Sequence, residues 1–224
     1  MKNGDVKFLS KLLGNLYFTL GGSLRKAPDY VRSNPGLVKK YIEKKGAYQI
    51  NYANENILTD EMIDLAIKNG YSLSNDSPDV LKKNSKVVIA SVKENPFNVE
   101  YALEEGITDE VTSILLNYPD QLVAILIYTH KSFDGKKILL NNSDIMKVVV
   151  ERNAKCIEQA LEGGLTYENA KLAFRNGYTF KSGEYINSSE LSVLNNPNFV
   201  KAAIEEDPKN IEYALEGGLT YENA

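Results

Sequence analysis

The sequence predicts an all-α fold: a solenoid-like array of about four helical repeats, each built from three short helices. Three observations point there. The segments "YANENILTDE", "YALEEGITDE", "QALEGGLTYE" and "YALEGGLTYE" recur along the 224 residues, starting at Tyr52, Tyr101, Gln159 and Tyr213. Their alanines, Ala53, Ala102, Ala160 and Ala214, lie 49, 58 and 54 residues apart, and each is followed by a threonine and then a glutamate at fixed spacing. An asparagine (Asn34, Asn84, Asn142, Asn196) stands 19, 18, 18 and 18 residues upstream of each alanine and opens an apolar helical pattern. Several copies at such a period are the signature of a repeat array.

Taken in order, residues 1–23 read as a capping or partial repeat helix. The stretch "VKFLSKLLGNLYFTLGGSL" ends in Gly21-Gly22 and stands where a third helix stands elsewhere. Repeats follow at 24–74, 75–133, 134–182 and 183–224, the last one incomplete. In each, the asparagine is the expected N-cap, because its side chain accepts from an orphan amide, and a following proline lacks that donor anyway. Phe199, Val200, Ala203 and Ile204 illustrate the apolar face of the first helix. "NIEYALEGG" predicts a second helix, stopped by a left-handed glycine with Leu165 or Leu219 folding back on it. In the first copy Asn56 takes the glycine's place, as the residue next most tolerant of that conformation. Thr59, Thr108, Thr166 and Thr220 then cap a third helix, with Glu61, Glu110, Glu168 and Glu222 in its first turn. That helix ends at "NGY". The connectors "YTFKSGEYI" and "YTHKSFDGKKI" carry turn signals and are expected to form small hairpins.

Departures from the pattern are where function is sought. The second copy is longer between Thr108 and Tyr128, and the additional residues fall within "LLNYPDQLVAILIYT". Pro119 should end one helix and Asp120 begin another. Its apolar residues, Leu122 and Ile125 among them, predict either a packed additional helix or an apolar ridge used by a partner. Tyr71, Tyr128 and Tyr178 recur at one position, and Tyr52, Tyr101 and Tyr213 at another. An outward-facing tyrosine row would make a ladder of anchoring groups. His130 aligns with Phe180 and Leu73, so a structural role is expected. Cys156 aligns with Asn98 and Asn210 at a helix start, with no base nearby in sequence.

The function classes narrow accordingly. A net charge of −4 argues against a dedicated nucleic-acid binder. That alternative would need Lys39, Lys40, Lys44, Lys45, Lys82 and Lys83 to line one face. One cysteine permits no intrachain disulfide and points to a reducing, cytoplasmic setting. No apolar run approaches the ~18 residues of a membrane span. "EGGLT" lacks the strand and spacing of a phosphate-binding loop. No cofactor motif, carboxylate dyad, nucleophile–base pair or metal-ligand cluster is in evidence, so no catalysis, cofactor or metal is expected.

"LKKNSKVVIASVKENPFNVEYA" and "LNNPNFVKAAIEEDPKNIEYA" resemble the short bacterial helical repeats of a domain-of-unknown-function family, of the "VVxAAVxxNPxxLxYA" type. The resemblance covers about twenty residues per copy and implies a related helical fold. "GGLTxE", the third helix and the connector are additions to it. Together these readings predict a non-catalytic scaffold that binds a protein or peptide partner through a few aromatic or apolar anchors. The chain reads as an amino-terminal piece of a longer array. A regulatory or targeting arm of an enzyme is the remaining alternative.

Overall fold

The computed structural model describes residues 3–128, 135–179, 192–214 and 218–220. Every regular element among these residues is helical, in keeping with the all-α prediction. The principal α-helices are α1 (Asn3–Thr19), α2 (Asp29–Arg32), α3 (Pro35–Lys45), α4 (Asp60–Lys68), α5 (Asp79–Lys82), α6 (Ser85–Glu94), α7 (Asp109–Leu115), α8 (Pro119–Tyr128), α9 (Lys136–Asn141), α10 (Ser143–Arg152), α11 (Tyr167–Arg175) and α12 (Pro197–Glu206). The chain divides into two compact units, residues 1–101 and 102–224.

All four asparagines cap as expected. Asn34 Oδ1 accepts from Leu37 N at 3.1 Å and Asn84 Oδ1 from Val87 N at 3.2 Å. Asn142 Oδ1 accepts from Asp144 N and Ile145 N at 3.0 Å each, and Asn196 Oδ1 from Asn198 N and Phe199 N at 3.0 and 3.2 Å. Each cap contributes about 1 kcal/mol. The helices so opened bury one face: Leu37, Val38, Tyr41 and Ile42 in α3, Val87, Val88, Ser91 and Val92 in α6, and Ile145, Met146, Val149 and Val150 in α10. That shared spacing is the core-facing stripe of a short amphipathic helix.

The second helix differs from expectation. It is a six-residue 3-10 helix in every copy, at Ala47–Tyr52, Pro96–Tyr101, Ala154–Gln159 and Pro208–Tyr213. The amides of Ala53, Ala160 and Ala214 close it by bonding three residues back, to Ile50, Ile157 and Ile211, at 3.1 Å each. Those alanines are already extended, so the run is too short to settle into α geometry.

The glycines after it also act differently. Among the described residues only Gly21, Gly46, Gly70 and Gly177 have positive φ, and Asn56 does not. A Cβ on Gly163, Gly164 or Gly218 would collide with the carbonyl oxygen of Asn141, Leu140 or Leu194. These glycines therefore permit a close backbone approach and do not reverse the chain. Nearby, Leu161 N donates to Leu140 O at 3.0 Å, and the first copy repeats the bond from Asn54 N to Arg32 O at 3.0 Å. Leu165 is buried as the latch residue, whereas Leu219 is exposed. Thr59, Thr108 and Thr166 all stand at the N-cap position of a third helix, but only Thr166 caps with its side chain, accepting from Asn169 N at 3.2 Å.

The third helix ends as expected. Gly70 and Gly177 take φ of 81° and 85°. Tyr71 N donates to Ala66 O and Tyr178 N to Ala173 O, both at 2.9 Å, closing the terminal turn of a Schellman motif. The 129–134 and 180–186 parts of the expected hairpin connectors, with His130, lie outside the described residues. Residues 136–141, at the tail of the longer connector, are helical as α9.

Candidate functional site

The register of α1 defines the site. Gly21 has φ 84°, Gly21 N donates to Phe18 O and Gly22 N to Tyr17 O, both at 3.0 Å. Gly70 and Gly177 make the same pair of bonds at the ends of α4 and α11. Helix α1 thus ends in the same turn as α4 and α11, with Gly21, Gly70 and Gly177 in register. Leu13 then corresponds to Met62 and Asn169, Leu9 to Leu58 and Leu165, and Gly14 to Ile63 and Ala170.

In the first unit α4 packs against α3, the 3-10 helix of its own repeat, and α6. In the second unit α11 packs likewise against α10, its own 3-10 helix and α12. Helix α1 packs against α2 and α3, the elements that follow it. Gly14 faces them closely enough that a Cβ would meet the Leu37 side chain. Phe18 stands edge-on to Tyr41 with ring centroids 4.8 Å apart, and Lys40 lies over the Phe18 ring at 4.4 Å. The other face carries Phe8, Leu9, Leu12, Leu13 and Leu16, with Leu20 just beyond the helix, all exposed. At 3.6 residues per turn they occupy an arc of roughly 140°. Leu13 is 49% exposed where Met62 is 1% and Asn169 3%. Scattered leucines on a surface need no explanation, but a contiguous face of six large apolar side chains does.

The sequence-derived site residues fare otherwise. Tyr71 is buried; its hydroxyl lies 2.6 Å from Asn51 Oδ1, to which it donates, and 2.7 Å from Ser77 Oγ. Burial pushes its pKa up to about 12, against a lowering by the Ser77 hydrogen bond. Tyr178 is buried edge-on against Phe174 and Phe199, at 5.5 and 5.7 Å between centroids. Leu122 and Ile125 have no exposed surface, and α8 packs on α10. The outward placing of Tyr71 and Tyr178 and the apolar ridge are therefore corrected: these four residues are core, the tyrosine rings packing just beyond the helix-ending Gly70 and Gly177, and Leu122 and Ile125 facing inward from the middle of α8. The side chain of Tyr128 lies outside the described residues. The other tyrosine row is more open, with Tyr101 exposed and Tyr52 and Tyr213 half-buried.

Cys156 is buried, and desolvation raises its thiol to about 11, away from nucleophilic use. Its neighbours in register, Asn98 and Asn210, donate to the carbonyls of Ser91 and Ala203 at 3.1 and 2.8 Å. Several candidate nucleic-acid lysines have local partners. Lys39 pairs with Glu61, Lys40 and Lys45 lie over Phe18, and Lys82 reaches Asn75 O. A recess of about 460 Å³ beside Gly177 is lined by Arg152, Asn153, Lys155, Glu158 and Tyr178 among others. Among the described residues no three His, Cys, Asp or Glu side chains cluster as metal ligands, and no helix is long and apolar enough to cross a membrane.

No family model, curated protein or solved structure matches the chain.

Proposed function

We propose that the chain is a non-catalytic helical-repeat scaffold that docks a protein through the outer face of α1. The partner is one offering an apolar helical surface. The observation that supports this most strongly is the exposure of Leu13 at a position whose counterparts, Met62 and Asn169, are buried within their own repeats. The same register on α4 and α11 is filled by an α-helix and a 3-10 helix, so the chemistry of a fitting occupant is already written in the molecule. Burying side chains of this size stabilises a contact by about 1.5–3 kcal/mol each when the burial is complete.

The face is apolar, so capture should survive both nuclease and salt, unlike a phosphate-driven contact. The test is a pull-down from lysate of the native host with the chain and with its Leu12→Glu/Leu16→Glu variant. Retention by the parent, after nuclease and at raised salt, with loss in the variant is the expected result. Equal retention by the variant, or loss on nuclease treatment, overturns the reading.

A further inference from the structure

We infer that the recess beside Gly177 is a binding site for a tyrosine side chain carried by an acidic peptide segment of a partner. The site draws on residues of the second unit alone and is separate from the α1 face. Matched positions in the first and third repeats show what such a place holds. In register, the 3-10 helices Ala47–Tyr52 and Ala154–Gln159 match Tyr48 with Lys155 and Asn51 with Glu158. The turns that follow match Gly70, Tyr71 and Ser72 with Gly177, Tyr178 and Thr179. In the first repeat the Tyr48 ring lies against the Tyr71 ring, with centroids 5.4 Å apart and planes tilted by 53°. Asn51 Oδ1 accepts from the Tyr71 hydroxyl beside it at 2.6 Å. The third repeat carries Lys155 in place of that ring, and its recess of about 460 Å³ is lined by Lys155, Glu158, Gly177 and Tyr178. What the first repeat fills with its own tyrosine, the third leaves open.

The lining sets the chemistry of the occupant. Tyr178 offers the ring surface that Tyr71 offers to Tyr48, and aromatic pairs favour tilted contacts of that kind. Glu158 is buried, and its carboxylate accepts hydrogen bonds through two oxygens that can serve more than one donor. A phenol hydroxyl supplies such a donor and a plain phenyl ring does not. A phosphorylated phenol would set like charge against the carboxylate. Arg152 and Lys155 are the exposed cations of the lining. Arg152 Nε lies 3.7 Å from Asp120, a contact that uses one of the five donors of its fork. Exposed cations around a pocket favour acidic residues on either side of an anchor and speed the encounter. The volume falls within the roughly 300–1,000 Å³ of small ligand sites.

The test is fluorescence anisotropy of the full chain with a fluorescein-labelled Asp-Glu-Tyr-Asp-Glu peptide, which should bind saturably. Alanine in place of the peptide's tyrosine should weaken binding by about tenfold or more, since a central aromatic anchor carries most of the affinity. Phenylalanine there should bind more weakly than tyrosine, and phosphotyrosine should not bind. On the protein, Lys155→Tyr restores the residue of the first repeat and should fill the recess and abolish binding. Lys155→Ala removes the same charge but leaves the recess open, and should keep binding with only a few-fold loss. Glu158→Gln removes the like charge and should admit the phosphotyrosine peptide that the parent rejects, a gain that no folding defect produces. Circular dichroism melts verify that each variant folds. A parent that does not bind the tyrosine peptide, equal binding of the alanine peptide, or a Lys155→Tyr variant that binds as the parent does overturns the inference. Competition by N-acetyltyrosinamide as strong as by the peptide itself would make the recess a site for a small phenol, and also overturns it.

Discussion

Helices α1 and α4 are two versions of one element, and their difference shows which residues make structure and which face outward. Both end in the same turn, with a left-handed glycine and a backbone bond back to Tyr17 O or Ala66 O. Both rest on the first helix of the repeat that follows: Lys86 of α6 lies 3.7 and 3.5 Å from Asp60 and Asp64 of α4, and Lys40 of α3 lies 3.3 Å from Asn15 Oδ1 of α1. On the opposite side they part. Helix α4 pairs Glu61 with Lys39 of α3 and buries Met62, whereas α1 carries Leu12 and Leu13 at these two positions and exposes both. A helix that is polar outside and apolar inside has finished packing; one that is apolar on both sides has a surface still to cover.

The sharpest way to break this comparison is to truncate register-matched residues on closed and open repeats. Ile157→Ala should cost about 2–5 kcal/mol, the range for a fully buried Ile, while Ile211→Ala should cost under about 1 kcal/mol. Urea denaturation of both variants measures it, and equal losses would mean the fourth repeat is as closed as the third. Leu122→Ala should also fall near about 2–5 kcal/mol, because α8 is core; a neutral result would restore the exposed ridge.

A smaller effect concerns the turn itself. Tyr71, held protonated by burial with its pKa at about 12, stabilises the fold fully below its unfolded value near 10 and loses that contribution as pH rises toward 12. The contribution is on the order of 2 kcal/mol. Helix α1 carries Gly22 at this position, so its version of the turn has no such alkaline loss. Stability profiles from pH 9 to 12 should flatten in Tyr71→Phe, and an unchanged slope would contradict the assignment. The smallest effect is at Tyr41, which is fully buried under Phe18 with no hydrogen-bond partner for its hydroxyl among the described residues. Tyr41→Phe should be neutral or stabilising by up to about 1 kcal/mol, since removing an unpaired buried group removes its desolvation cost. A loss of about 2 kcal/mol in the same denaturation assay would reveal a partner for the hydroxyl.

Local rules carried much of this fold and failed where distant groups decide. Asn34, Asn84, Asn142 and Asn196 were legible because a cap is settled within three residues. The NGY turns of Gly70 and Gly177 were legible for the same reason, as was the break at Pro119. The six-residue 3-10 helices were not, since so short an apolar pattern does not distinguish 3-10 from α geometry. Gly163 and Gly164 read as chain reversals because their real constraint, the carbonyls of Asn141 and Leu140, lies some twenty residues upstream. Tyr71 and Tyr178 recur regularly whether they face in or out, and periodicity alone left their direction open. The site on α1 carried a signal that went unread. Leu12 and Leu13 align with Glu61 and Met62, and an acid replaced by leucine on the outer side of a repeated helix marks an uncovered face.

The most direct test of the central claim is the stability of Leu13→Ala beside that of Met62→Ala, both measured by urea denaturation at a protein concentration low enough to keep the chain monomeric. The open-face account predicts about 2–5 kcal/mol lost at Met62 and under about 1 kcal/mol lost at Leu13. Comparable losses at the two positions would show that α1's outer face is already packed, and would contradict it.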